Sequence, residues 1–145
     1  MKALFIGLQL IIPLILPGQV VDSLHVCFLP WKFNIEGLIT DELVRNYPGF
    51  SKKISITDRG KIDSLLMSLS ILNLRPKENR KSTFSPRMII DIYSHKKRAD
   101  PESPVCIDTI KLDSRQNLLY DDRFYYKNFA LEDWIQTNIY SGQNP

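Results

Sequence analysis

Two cysteines in 145 residues are too few for a disulfide-dense scaffold or a zinc ribbon. Six glycines leave no room for a glycine-rich phosphate loop, and neither GxGxxG nor GxxxxGKS/T occurs. HExxH, GxSxG and CxxC are missing too, which removes the zincin, nucleophile-elbow and dithiol signatures. There is no Asn-x-Ser/Thr sequon, which fits a bacterial envelope or secreted protein better than a glycosylated eukaryotic one. Internal repeats and low-complexity linkers are also missing. What remains is 43% hydrophobic and 24% charged, with a net charge of +3, the composition of one ordinary globular domain.

The N-terminus carries the first positive signal. Lys2 precedes an apolar run from Ala3 to Leu16, and Pro17-Gly18 then breaks any helix. This is the grammar of a secretory signal peptide over residues 1–21, with cleavage expected between 18 and 23. A membrane span would need about 20 apolar residues and would have to run through Pro13, Pro17 and Gly18. The expectation is therefore a periplasmic or secreted protein with no span once the signal is removed. In an oxidising compartment, Cys27 and Cys106 are expected to form a disulfide, with the first strand lying beside or under the strand at 105–112.

The remainder, 24–145, reads as a single small α+β domain. It is expected to be an antiparallel meander of about four to five strands, packed by one long amphipathic helix and a C-terminal helix. Strands are expected at Leu24–Leu29, Met88–Tyr93 and Val105–Leu112, with a hairpin of Leu118–Tyr120 and Phe124–Tyr126. Thr40 is placed to cap a short helix with Asp41 and Glu42 in its first turn. The long helix starts at Thr57 or Asp58 and repeats Ile62, Leu65, Leu66, Leu69 and Leu72 at helical spacing. The last helix, Phe129 to Tyr140, puts Leu131, Trp134, Ile135 and Ile139 on one face. The expected core is Ile62, Leu65, Leu66, Leu69, Ile90, Ile92, Ile107, Trp134 and Ile135.

Chemistry-bearing residues are sparse. His25 lies among apolar neighbours and reads as a structural histidine, while His95 opens a polar loop. Sequence does not place either beside a catalytic carboxylate. Asp121-Asp122 reads as a hairpin corner, and Glu132-Asp133 as the acidic first turn of a helix. No cofactor or metal is implied. Charge is more informative. Residues 22–74 are balanced and 99–145 are acidic, whereas 75–98 hold eight basic side chains against Glu78 and Asp91. Only Phe84 and Tyr93 are interleaved with these basics, which argues against nucleic acid. An acidic protein or an anionic surface polymer suits them better.

These features give an exported, non-catalytic binding protein: an inhibitor, an immunity-type protector or an envelope accessory acting through its loops. The loop His95, Lys96, Lys97 and Arg98 is the expected partner site, being longer than a usual hairpin connection and densely cationic. Two alternatives are a small secreted hydrolase using a histidine–carboxylate pair, and a structural subunit of an envelope assembly.

Overall fold

An eight-residue strand, Val21–Phe28 (β1), is the element around which the domain is arranged. The computed structural model describes residues 20–32, 35–70, 84–95, 104–120 and 123–141. After β1 come a short helix, Asp41–Asn46 (α1), and a strand, Lys52–Ile56 (β2). A longer helix, Arg59–Ser70 (α2), precedes two long strands, Pro86–Ser94 (β3) and Val105–Asp113 (β4). Two short strands, Leu118–Tyr120 (β5) and Arg123–Tyr125 (β6), are followed by the helix Phe129–Ile135 (α3). A π-helical turn, Gln136–Tyr140, continues α3.

The result is a mixed α+β domain on one six-stranded antiparallel sheet, ordered β2-β1-β3-β4-β5-β6. Only β3 to β6 form a meander. The count exceeds the expected four to five strands by β2, which pairs with β1 along its whole length. β1 thereby sits between β2 and β3 and is buried along most of its length, with His25 exposed and Asp22 half-buried.

Period-2 alternation divides the strands between two faces. The first face carries Leu24, Val26 and Phe28 of β1, Met88, Ile90 and Ile92 of β3, and Ile110 and Leu112 of β4. α2, α3 and the π-helical turn close it with Ile62, Leu65, Leu131, Trp134, Ile135 and Ile139. Asp58 caps α2 by accepting from the Lys61 N–H at 2.9 Å, and Asn128 caps α3 by accepting from Ala130 N–H at 2.8 Å. Trp134 Nε1 donates to Lys61 O at 2.8 Å, and Asn128 Nδ2 donates to Ser68 O at 2.9 Å, locking the two helices together.

The expected core holds at Ile62, Leu65, Ile90, Ile92, Trp134 and Ile135, all buried. Leu66, Leu69 and Ile107 are only partly buried against it, and Leu72 lies outside the described residues. Ser68 takes a buried place on α2 because its hydroxyl is satisfied by Ser64 O at 2.9 Å. Ile107 is displaced by a register shift: Ile92 faces Asp108 and Tyr93 faces Cys106, so Ile107 is the extra residue of a bulge.

The cysteines are not bonded. Cys27 is opposite Ile89 of β3, and Cys106 is opposite Tyr93 of the same strand. With β3 between them and four residues along it, their Cα atoms are roughly 16 Å apart at ordinary strand spacings. A disulfide needs less than about 7 Å. The expected pairing and the expected contact of β1 with β4 both fail for the same reason: the first strand lies beside β3.

Candidate functional site

The second face of the sheet carries the polar chemistry. One row across four strands reads Ser55, His25, Asp91, Thr109, and the next reads Lys53, Cys27, Ile89, Lys111, continuing to Leu119 and Phe124. α1 lies over one end of this face, where Val44, Ile39, Leu29, Cys27 and Ile89 form a small separate core. Thr40 caps α1 as expected, its hydroxyl accepting from the Leu43 N–H at 3.3 Å.

From α1, Arg45 reaches across to Asp91. Both guanidinium nitrogens donate to the carboxylate, Nη1 to Oδ2 and Nη2 to Oδ1 at 2.9 Å. Thr109 Oγ1 donates to Oδ1 at 2.8 Å. Asp91 is only 4% exposed, so burial works against its charge, but the Arg45 and Thr109 hydrogen bonds and the Arg45 charge outweigh that and hold its carboxyl below the usual range. Burial pushes the neighbouring Cys27 thiol up, and the charges of Arg45 and Lys53 only partly oppose it. A buried, protonated thiol is a poor nucleophile. Asp91, with its acceptors occupied, is a poor base. This arrangement is a clamp between α1 and the sheet.

Beside the clamp is an open cleft of about 610 Å³. Thr109, Lys111 and Leu119 line it from the sheet, together with Pro86 and Phe84, and Leu38 to Asp41 line it from the α1 side. Lys111 Nζ pairs with Asp41 at 2.6 Å across it. Leu38 is 57% exposed at the rim. Phe84 packs edge-on against Phe124, which packs against Tyr126, so an aromatic ladder continues from the cleft to the β6 edge.

His95, the one described residue of the expected partner loop, lies away from the cleft. His95 is exposed at the end of β3, where its Nδ1 is 2.6 Å from Asp22 Oδ2 and its backbone N–H donates to the same oxygen. Lys96, Lys97 and Arg98 lie outside the described residues, as do Arg75, Lys77, Arg80 and Lys81. His25 is exposed rather than enclosed, and its ring stacks at 4.5 Å on Tyr93. No hydrogen bond or ring contact joins the two histidines, and among the described residues no group of His, Cys, Asp and Glu could hold a metal ion. Among the same residues, no helix is long and apolar enough to cross a membrane.

Sequence reasoning missed the clamp and the cleft. The clamp had a signal: Asp91 is the lone acid in the run Met-Ile-Ile-Asp-Ile, and a buried carboxylate requires a cation. The cleft had none, because its walls come from segments about 70 residues apart. No family model, curated protein or solved structure matches the chain, so the functional reading stands on residue chemistry.

Proposed function

We infer that this chain is an exported, non-catalytic binding protein that receives its partner on the half-covered second face of the sheet. The open cleft between α1 and β4–β5 supports this most directly. It presents apolar side chains, one ion pair and a flanking aromatic ladder, and the Asp108 carboxylate at its wall accepts from the Tyr120 hydroxyl. Apolar anchors with a polar rim are what a protein partner requires.

Export in this reading follows cleavage after Gly18 rather than after Ser23. The later cut would remove Val20, whose carbonyl accepts from Ser94 Oγ at 2.6 Å, and Val21, which is 2% exposed and whose carbonyl accepts from Arg59. It would also remove Asp22, the partner of His95. The intact mass of the exported protein should therefore match a chain starting at Gln19.

Partner recovery after crosslinking of the exported protein tests the binding surface. Leu38→Asp and Phe84→Asp should abolish recovery, and Met67→Asp, on the exposed side of α2, should leave it intact. Equal recovery with all three variants would remove the cleft from the site. The His95–Asp22 contact favours the hydrolase as a second reading. A hydrolytic activity lost in both His95→Ala and Asp22→Asn would establish it over the first.

A further inference from the structure

The chain is held to the sheet from Val20 onward. The Val20 carbonyl accepts from Ser94 Oγ at 2.6 Å, and the Val21 carbonyl accepts from Arg59 Nη1 at 2.8 Å. Val21 is 2% exposed and stands opposite Ser94 on β3. Asp22 accepts from the His95 backbone N–H, and its Oδ2 is 2.6 Å from His95 Nδ1. Three consecutive residues are thus fixed by two elements, the start of α2 and the end of β3, that follow 38 to 74 positions later. Loss of Val20 would take this acceptor from the buried Ser94 hydroxyl, which is costly.

The same contacts favour removal of the signal after Gly18, and that cut decides the chemistry of the new chain end. Cleavage after Ser23 would leave Leu24, whose side chain cannot react with its own amine. Cleavage after Gly18 leaves Gln19, which precedes the described residues and carries a carboxamide spaced to close a five-membered ring on its α-amine. We propose that Gln19 of the exported protein is converted to a pyroglutamyl lactam. The α-nitrogen attacks Cδ, and the new N–Cδ bond forms as the Cδ–Nε2 bond breaks. One proton passes from the α-nitrogen to Nε2, which leaves as ammonia, and no oxidant or co-reactant is consumed. The ring removes the terminal positive charge and the free amine that an aminopeptidase recognises. Chain ends are where proteolysis concentrates, and here the residues next in line are Val20, Val21 and Asp22. The lactam therefore closes the chain one residue before the first that the fold uses. This rests on the exported-protein reading and its cut after Gly18, and it is independent of the cleft.

The test is the intact mass and N-terminal sequence of protein recovered cold from outside the cytoplasm, read before and after digestion with pyroglutamyl aminopeptidase. The expected mass is that of the chain starting at Gln19 less one ammonia. Edman sequencing should fail until the digestion removes the ring, and should then begin at Val20. A general aminopeptidase should leave the native protein whole, whereas Gln19→Ala, which keeps its terminal amine, should lose Ala at this position. A chain that starts at Gln19 and retains its ammonia would overturn the lactam while leaving the exported-protein reading standing. So would a ring that is absent at recovery and grows only on storage. Ammonia loss that persists in Gln19→Ala would overturn it too, by placing the loss at another residue. A chain starting at Leu24, or a full-length chain starting at Met1, would overturn the cut after Gly18 and the lactam together.

Discussion

On the first face of the sheet, α2 and α3 cover apolar side chains with apolar side chains, and the packing draws on about twenty residues. On the second face, α1 covers a much smaller apolar group and is held down by one arginine. A large apolar contact tolerates the loss of any one member, because its free energy is spread over area. A buried ion pair does not, because loss of the cation leaves an uncompensated charge. The contrast also separates function from stability. The face held by few contacts is the one with an open cleft and an exposed rim at Leu38.

Arg45→Ala is the most direct way to break this contrast, and it should be the most destabilising change here, about 3–5 kcal/mol in denaturant unfolding. Asp91 would remain, almost fully buried, without its cation. Asp91→Ala should cost less, because Arg45 is one-third exposed and can turn to solvent. Replacing both with apolar residues should recover much of the loss. If Arg45→Ala costs under 1 kcal/mol, the clamp does not hold α1.

Leu65→Ala on the first face comes next, at about 2–5 kcal/mol for a fully buried leucine, with Leu66→Ala well below it. The ordering matters more than the values. Equal costs at the two positions would mean that the buried face of α2 is rotated from the one described. Helical spacing alone made the two leucines equivalent. The neighbouring α3 decides between them, and its position is not written in α2.

That limit applies through the whole chain. Caps and faces were legible because they are local: Thr40, the Asp58 start of α2 and the Leu131, Trp134, Ile135, Ile139 face of α3 each depend on residues within a few positions. Strand order was not legible, because insertion of β1 between β2 and β3 depends on contacts over about 30 to 70 residues. The disulfide expectation failed on that point, since two cysteines and an oxidising compartment say nothing about which strands are adjacent. The cleft was invisible for the same reason.

Acid sensitivity sharpens the comparison further. Asp91 titrates below its ordinary value of 3.8 in the folded chain, so its contribution is present above that pH and is lost as pH falls through the lowered folded value. Acid unfolding of the native protein should therefore steepen below about pH 4. In Arg45→Ala, burial without a cation pushes the carboxyl up, so Asp91 takes up its proton more readily in the folded chain, its share of the acid limb should vanish, and the variant's stability deficit should shrink as pH falls. An acid limb identical in both proteins would show that Asp91 is not the group involved.

Thiol labelling probes the same face with a smaller perturbation. Unfolded, unreduced protein should take up two equivalents of reagent, because both thiols are free. In the folded protein Cys106, exposed, should react at once. Cys27, 8% exposed with its thiol pushed up by burial, should react only through local opening near α1. Arg45→Ala should accelerate Cys27 and leave Cys106 unchanged. Zero equivalents in the unfolded, unreduced protein would restore the disulfide.

The smallest effect is expected where the second face meets the start of β1. His95 and Asp22 are both substantially exposed, so their pair should contribute at most about 1 kcal/mol, and His95→Ala should barely move the unfolding midpoint. Its effect belongs in the titration of Asp22. Desolvation raises that carboxyl, but the His95 ring and backbone hydrogen bonds, with the charges of His95 and Arg59, lower it overall. His95→Ala removes the ring and its charge but keeps the backbone N–H, which donates to Asp22 Oδ2 at 2.5 Å. The Asp22 carboxyl should therefore rise partway towards its ordinary value of 3.8 in a carbon-detected NMR titration, and Arg59→Ala should raise it less. A larger rise in Arg59→Ala than in His95→Ala would mean that α2, rather than the end of β3, sets the charge of Asp22. The histidine–carboxylate contact would then lose the geometry that keeps the hydrolase reading open.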